Sequence, residues 1–206
     1  MIAAVSPAPP RLWLASASPA RAALLGNAGI EARTEAAGVD EGEIKAALRA
    51  QGGGAAEAAE TLAELKAMRV SRRHPGALVV GADQMLACEG AWYDKPVDLG
   101  DARRQLRALR GKCHELVTAV CVVRDGTRLW HHVERARLWM RDFSEEFLDG
   151  YLKAEGGEAP ELVGAYRLEG RGAQLFARVE GDFFGILGLP LLPLLDFLRG
   201  QGLART

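Results

Sequence analysis

Six consecutive residues, Ser16-Ala17-Ser18-Pro19-Ala20-Arg21, carry two hydroxyls and a guanidinium around a proline. A serine followed by proline marks a helix start: the Ser18 hydroxyl caps free N–H groups, and Pro19 suits the first helical position. The N–H groups at such a start, with the Ser16 and Ser18 hydroxyls, form a nest for phosphate. Arg21 in the first turn can fork onto phosphate oxygens. Taken alone, the segment reads more simply as a capped helix with a solvated arginine, because capping is the commoner use of these residues.

Acids and lysines further along supply complementary chemistry. Asp40-Glu41 falls in an expected loop. Asp83 follows the apolar run 77–80, at the C-terminal end of an expected strand, where ligands of open α/β sheets gather. Magnesium takes one or two protein carboxylates together with substrate phosphates and water, so Glu41 and Asp83 suit such an ion, and no His/Cys cluster suits a transition metal. Lys66 stands beside the apolar face of an expected helix, and Lys95 precedes Pro96; singly, each reads as a solvated lysine. His114 reads as structural, and His131-His132 point to opposite faces of a strand, which disfavours a metal pair. The chain has no Walker A loop, since Gly52-Gly53-Gly54 lacks the Lys-Ser/Thr pair. It has no Gly-x-Ser-x-Gly elbow and no dinucleotide fingerprint.

The elements that must carry these residues follow from apolar spacing. Runs 12–15 and 77–80 predict short buried strands. Ala23, Leu24 and Ala28 predict the inner face of a first helix ending near Gly29, and Ala58, Leu62, Leu65 and Met68 that of a second. Ala102, Leu106 and Leu109 mark a helix over 101–110. Strands 117–124 and 128–140 flank Asp125-Gly126-Thr127 as a hairpin. A helix over 144–153, strands 165–168 and 175–179, and a helix over 191–199 complete the pattern. Early strand–helix alternation with a central hairpin predicts an α/β fold, a mixed central sheet with flanking helices. A loose leader, 1–10, precedes a single domain, 11–202, with no Pro/Gly/Ser-rich linker inside it.

Bulk properties narrow the class. A formal net charge of −1 disfavours a general nucleic-acid binder. Three cysteines, Cys88, Cys113 and Cys121, with no CxxC pair, fit a reducing cytoplasm rather than a disulfide framework. Pro7, Pro9, Pro10 and Arg11 interrupt the apolar N-terminus, against a signal peptide, and no stretch reaches the roughly 20 apolar residues of a membrane span.

In order along the chain, these segments resemble the Maf family of nucleotide pyrophosphatases from Leu12 to Leu198. Leu14-Ala15-Ser16-Ala17-Ser18-Pro19-Ala20-Arg21 resembles its N-terminal signature, Val39-Asp40-Glu41 its acidic loop, and Leu65-Lys66-Ala67 its helical lysine. Gly81-Ala82-Asp83-Gln84 and Asp94-Lys95-Pro96 are similar to its central motif. Gly111, His114, Val117-Thr118-Ala119, Gly164-Ala165-Tyr166, Glu180-Gly181-Asp182 and the segment from Ile186 to Pro190 follow in place. The resemblance implies two lobes around a cleft, kinship with the inosine triphosphate pyrophosphatases, and a homodimer. It implies cleavage of a nucleoside triphosphate to monophosphate and pyrophosphate. Asp83 would be the base or the acid positioning water, and Glu41 and Asp83 would hold Mg²⁺ or Mn²⁺. Ser16, Ser18, Arg21, Lys66 and Lys95 would grip the triphosphate. Members acting on dTTP and UTP carry Arg, Thr and Gln at the positions of Ala20, Gln84 and Glu169; here Gln84 and Glu169 resemble the subgroup hydrolysing 7-methyl-GTP. The family's older naming suggests a competing role, a non-catalytic regulator of septum formation that binds nucleotide or nucleic acid.

Overall fold

Fourteen regular elements follow one another in the computed structural model, which describes residues 12–205 apart from the side chains of Glu158, Pro160 and Glu161; the expected leader 1–10 lies outside the described residues. They are β1 (Leu12–Leu14), α1 (Pro19–Asn27), β2 (Arg33–Thr34), α2 (Glu41–Ala50), α3 (Ala55–Ser71), β3 (Leu78–Cys88) and β4 (Ala91–Tyr93). The chain continues through α4 (Leu99–Leu109), β5 (Cys113–Arg124), β6 (Thr127–Met140), α5 (Glu145–Glu155), β7 (Phe176–Glu180), α6 (Phe183–Ile186) and α7 (Leu191–Gly200). The strands form one open sheet in the order β2-β1-β3-β5-β6-β7, with β4 attached to β3. β1 is parallel to β2 and β3, and the remaining pairs are antiparallel. The mixed α/β sheet expected from the sequence is therefore present.

Local chemistry explains several elements. Ser18 caps α1, Ser144 caps α5 and Asp98 caps α4, each accepting from a backbone N–H three residues on. The β5–β6 connection turns on Asp125 and Gly126, both at positive φ (50° and 73°), as a two-residue hairpin requires. Apolar side chains sort into three cores. Leu12, Leu14, Leu78 and Val80 pack with Leu24, Leu25, Leu194 and Leu198 on one face of the sheet. Ala59, Ala63, Ala67 and Val70 of α3 pack with Val79, Met85 and Ala119 on the other. Leu86, Leu106, Leu138, Leu148 and Leu152 build the third core, around α4 and α5.

Several expectations need correction. Ala23 and Ala28 are exposed, and α1 buries Leu24 and Leu25 instead. Leu65 is exposed and Met68 only half-buried; α3 turns a face of Ala58, Leu62, Ala63, Lys66, Ala67 and Val70 inward. Close packing on the sheet selects alanine there, and the large apolar side chains do not define the stripe. Asp40-Glu41 is no loop: Asp40 caps α2, and Glu41 opens it. Asp83 does not end its strand, because β3 runs on to Cys88. Segment 165–168 is not a strand; short 3-10 turns occupy Val163–Ala165 and Arg171–Leu175.

Candidate active site

The edge of β3 is covered unevenly. β1 pairs with it only as far as Val80, and β4 pairs from Leu86 onward, so residues 81–85 have no strand partner on that side among the described residues. Asp83 sits in this gap. On the other side β3 remains locked to β5, with Asp83 opposite Ala119. The acid therefore stands on a rigid strand beside an opening, the placement that a preorganised site needs.

Gly81 sets the depth of the site. A Cβ there would stand 2.1 Å from the Ala63 carbonyl oxygen and 2.8 Å from the Ala67 Cβ. α3 thus lies directly against the β3 backbone, in the close approach that glycine permits. Strand alternation puts residues 81 and 83 on the same face, so the helix that meets Gly81 also brings Lys66 to Asp83. Lys66 Nζ lies 2.6 Å from Asp83 Oδ1 and 2.5 Å from Glu41 Oε1. One buried ammonium thereby bridges two acids that the sequence separates by 42 positions.

The electrostatics of the cluster are unequal. Burial pushes the Asp83 carboxyl above its ordinary range despite Lys66 and Arg21, and nearby Glu41 pushes the same way. Burial also acts to raise Glu41, but the ammonium groups of Lys66 and Lys45 hold it below the usual carboxylate range. Asp83 Oδ2 is buried and has no hydrogen-bond partner among the described residues. An anionic oxygen left so costs desolvation energy, and it suits a water proton or a cation. No three His, Cys, Asp or Glu side chains among the described residues gather as a metal site. The pair Glu41 and Asp83, with one free oxygen on Asp83, fits a magnesium-type ion completed by phosphate and water.

The first segment of the chain closes the opposite side. The Ser18 hydroxyl accepts from the Arg21 backbone N–H at 3.4 Å, and buried Ser16 Oγ accepts from Ser18 N at 3.1 Å. Arg21 is no solvated arginine. Its Nε donates to the Gly188 carbonyl at 2.7 Å and its Nη1 to the Ala82 carbonyl at 3.0 Å, taking a β3 acceptor that β1 leaves free. Burial lowers its proton affinity, while Asp83 and Glu41 raise it. The guanidinium is thus held next to the acids with its direction fixed.

Sequence reasoning missed Lys45. Its Nζ lies 2.6 Å from Asp94 Oδ1 and 3.7 Å from Glu41 Oε2. Burial opposes its charge, but Asp94, Asp83 and Glu41 raise its proton affinity. The available signal was Asp40 followed three residues later by Glu43, a helix-start pattern that puts Glu41 and Lys45 one turn apart on one face.

Other expected residues are not drawn into the cluster. Lys95 is exposed and makes no hydrogen bond or ion pair among the described residues, although its neighbour Asp94 is held by Lys45. Gln84 points away from α3, and its amide nitrogen donates to Thr118 Oγ1 and the carbonyls of Gly185 and Ile186. Glu169 is exposed on a turn. His114 is buried against Tyr166, with its Nε2 2.7 Å from the phenol oxygen, and burial drops it to about 4, so it is neutral and structural.

Known proteins resemble the chain over nearly its whole length. The family model described as Maf-like protein matches residues 11–201. A nucleoside triphosphate pyrophosphatase of Paramagnetospirillum magneticum is 60% identical over 92% of this chain and 97% of its own length. A protein of the same name from Granulibacter bethesdensis is 57% identical, covering 92% and 96%. A 7-methyl-GTP pyrophosphatase of Brucella abortus is 48% identical, covering 93% and 96%.

Proposed function

The chain belongs to the Maf-like protein family, and from that premise we propose that it hydrolyses a nucleoside triphosphate to the monophosphate and pyrophosphate. The observation that carries the reading is a buried acid with one oxygen tied and one open. Lys66 fixes Asp83 Oδ1, and Oδ2 has no partner among the described residues. In the proposed reaction Asp83 is the base that takes the proton of the attacking water, a task that its raised proton affinity suits, or the acid that positions that water. Arg21, Lys66, Lys95 and the Ser16–Ser18 end of α1 bind the triphosphate and offset charge on the departing pyrophosphate. Glu41 and Asp83 would hold Mg²⁺ or Mn²⁺, which when bound supplies charge neutralisation and orients the phosphates.

The substrate we favour is 7-methyl-GTP or another modified purine triphosphate. Support comes from relatives named for that activity and from the Glu169 carboxylate, which can accept from the guanine N1–H and 2-amino groups. We further propose a cytoplasmic homodimer. The three cysteines, all free, support a reducing compartment, and among the described residues no helix is long and apolar enough to cross a membrane. A triphosphate panel with Mg²⁺ or Mn²⁺, separating pyrophosphate from orthophosphate, tests the assignment. Preference for dTTP or UTP would overturn the base reading. Absence of pyrophosphate from every triphosphate would favour the non-catalytic regulator of septum formation.

A further inference from the structure

Lys45 and the helix that carries it do work that the phosphate-binding reading leaves unused. α2 buries none of its residues fully; Leu48 only leans on the nearest core. It is bounded by glycines at positive φ, Gly38 (66°) and Gly52 (79°). A helix so placed has little packing to fix it, so its position must come from contacts made by its polar side chains. Three such contacts exist, and a fourth, from α3, braces the approach to the helix. At its entry Arg69 Nη1 donates to the Gly38 carbonyl. Glu41 meets Lys66. Lys45 meets Asp94 at 2.6 Å, and the Arg49 guanidinium lies 4.5 Å from the Trp92 ring centroid. The last two both reach one target, the end of β4 and the residues just after it.

We propose that Lys45 is a positioning residue: its clasp on Asp94 holds α2 down, so that Glu41 stays at the Lys66–Asp83 pair and the 94–95 segment stays beside it. The geometry fits this role, since Lys45 ties α2 to the residue that follows β4. The Lys45 side chain is 15% exposed, and its ammonium group already lies between two carboxylates, Asp94 and Glu41. Asp94, by contrast, is well exposed and would be free to leave if Lys45 let go. The inference rests on the pyrophosphatase reading for its consequence in turnover, but not for the clasp itself.

The test uses the full chain and the variants Lys45→Met, Asp94→Asn, their combination, and Lys45→Arg. Amide hydrogen exchange without nucleotide should show α2 opening about tenfold more often in Lys45→Met and in Asp94→Asn, with the strands of the sheet unchanged. In pyrophosphate release, each single variant should lower kcat about tenfold and leave KM within about twofold, because the loss is in Glu41 placement and not in ground-state binding. The double variant should be no worse than either single one, as expected of two ends of one contact, and Lys45→Arg should recover most of the rate. Unchanged α2 exchange in both single variants overturns the clasp. A KM increase in Lys45→Met with normal behaviour of Asp94→Asn overturns it as well, since it would make Lys45 a phosphate ligand. Should the unmodified protein release no pyrophosphate, the functional reading fails, and the exchange data still decide the clasp.

Discussion

Replacing Gly81 with alanine should disable the site from a position that touches no substrate. The added Cβ would stand 2.1 Å from the Ala63 carbonyl oxygen, 2.8 Å from the Ala67 Cβ and 2.9 Å from the Ala67 nitrogen. Ordinary contact begins at 3.4 Å, so α3 must back away from β3 by about 1.3 Å in an interior that has no slack. Lys66 rides on that helix. The 2.6 Å bond to Asp83 would open to about 3.9 Å, past hydrogen-bonding range. Overpacking of this kind costs about 1–3 kcal/mol of stability. Loss of a charge-assisted hydrogen bond, about 1.5–3 kcal/mol, corresponds to roughly 10- to 150-fold in turnover. Denaturant unfolding and steady-state pyrophosphate release measure the two effects. If Gly81→Ala keeps its unfolding free energy within about 0.5 kcal/mol and turns over normally, the idea that α3 depth governs Lys66 is wrong.

Asp83→Asn should reduce pyrophosphate release by at least about 10²-fold while leaving thermal stability equal or higher at neutral pH. Asp83 binds its proton more tightly when folded, so its ionised form is a stability cost above the ordinary carboxylate range, and asparagine removes that cost. For the same reason the acid limb of kcat/KM in the unmodified protein should lie above the ordinary aspartate range; a limb at or below it would contradict Asp83 as base. His114 behaves in the opposite sense. With its folded value near 4 against 6.5, its stabilising contribution is complete above pH 6.5 and is lost as pH falls towards 4, by roughly 3 kcal/mol. Unfolding free energies at pH 7 and pH 4 should therefore differ less in His114→Gln than in the unmodified protein. Equal differences would remove the buried imidazole from the acid response.

How much was legible in the sequence depended on where apolar packing coincided with chemistry. The α1 start was readable because Ser18-Pro19 is a local signal that needs no tertiary context. The β5–β6 hairpin was readable because Asp125-Gly126 suits only a few backbone shapes. The expected strand stops at Val80, eight residues short of the end of β3 at Cys88, since Gly81-Ala82-Asp83-Gln84 breaks the apolar run although the ladder to β5 continues through it. α2 was missed because a helix that buries no residue leaves no periodic stripe, and Lys45 was lost with it. Lys66 was seen as bordering an apolar face, whereas alanines bring that face so close to the sheet that Lys66 itself goes under. Residues 156–175 adopt short 3-10 turns whose placement depends on contacts from α4 and α5, and no local pattern announces them.

One long strand belongs to three interiors: Leu78 and Val80 of β3 help to build one, Val79 and Met85 a second and Leu86 a third, and β5 runs alongside through all of them. A protein whose halves meet at a flexible linker can swing them together around its cargo. Here such a swing would have to tear the shared ladder, so admission and release of a bulky anion fall to the parts attached from outside, with the spine itself standing still.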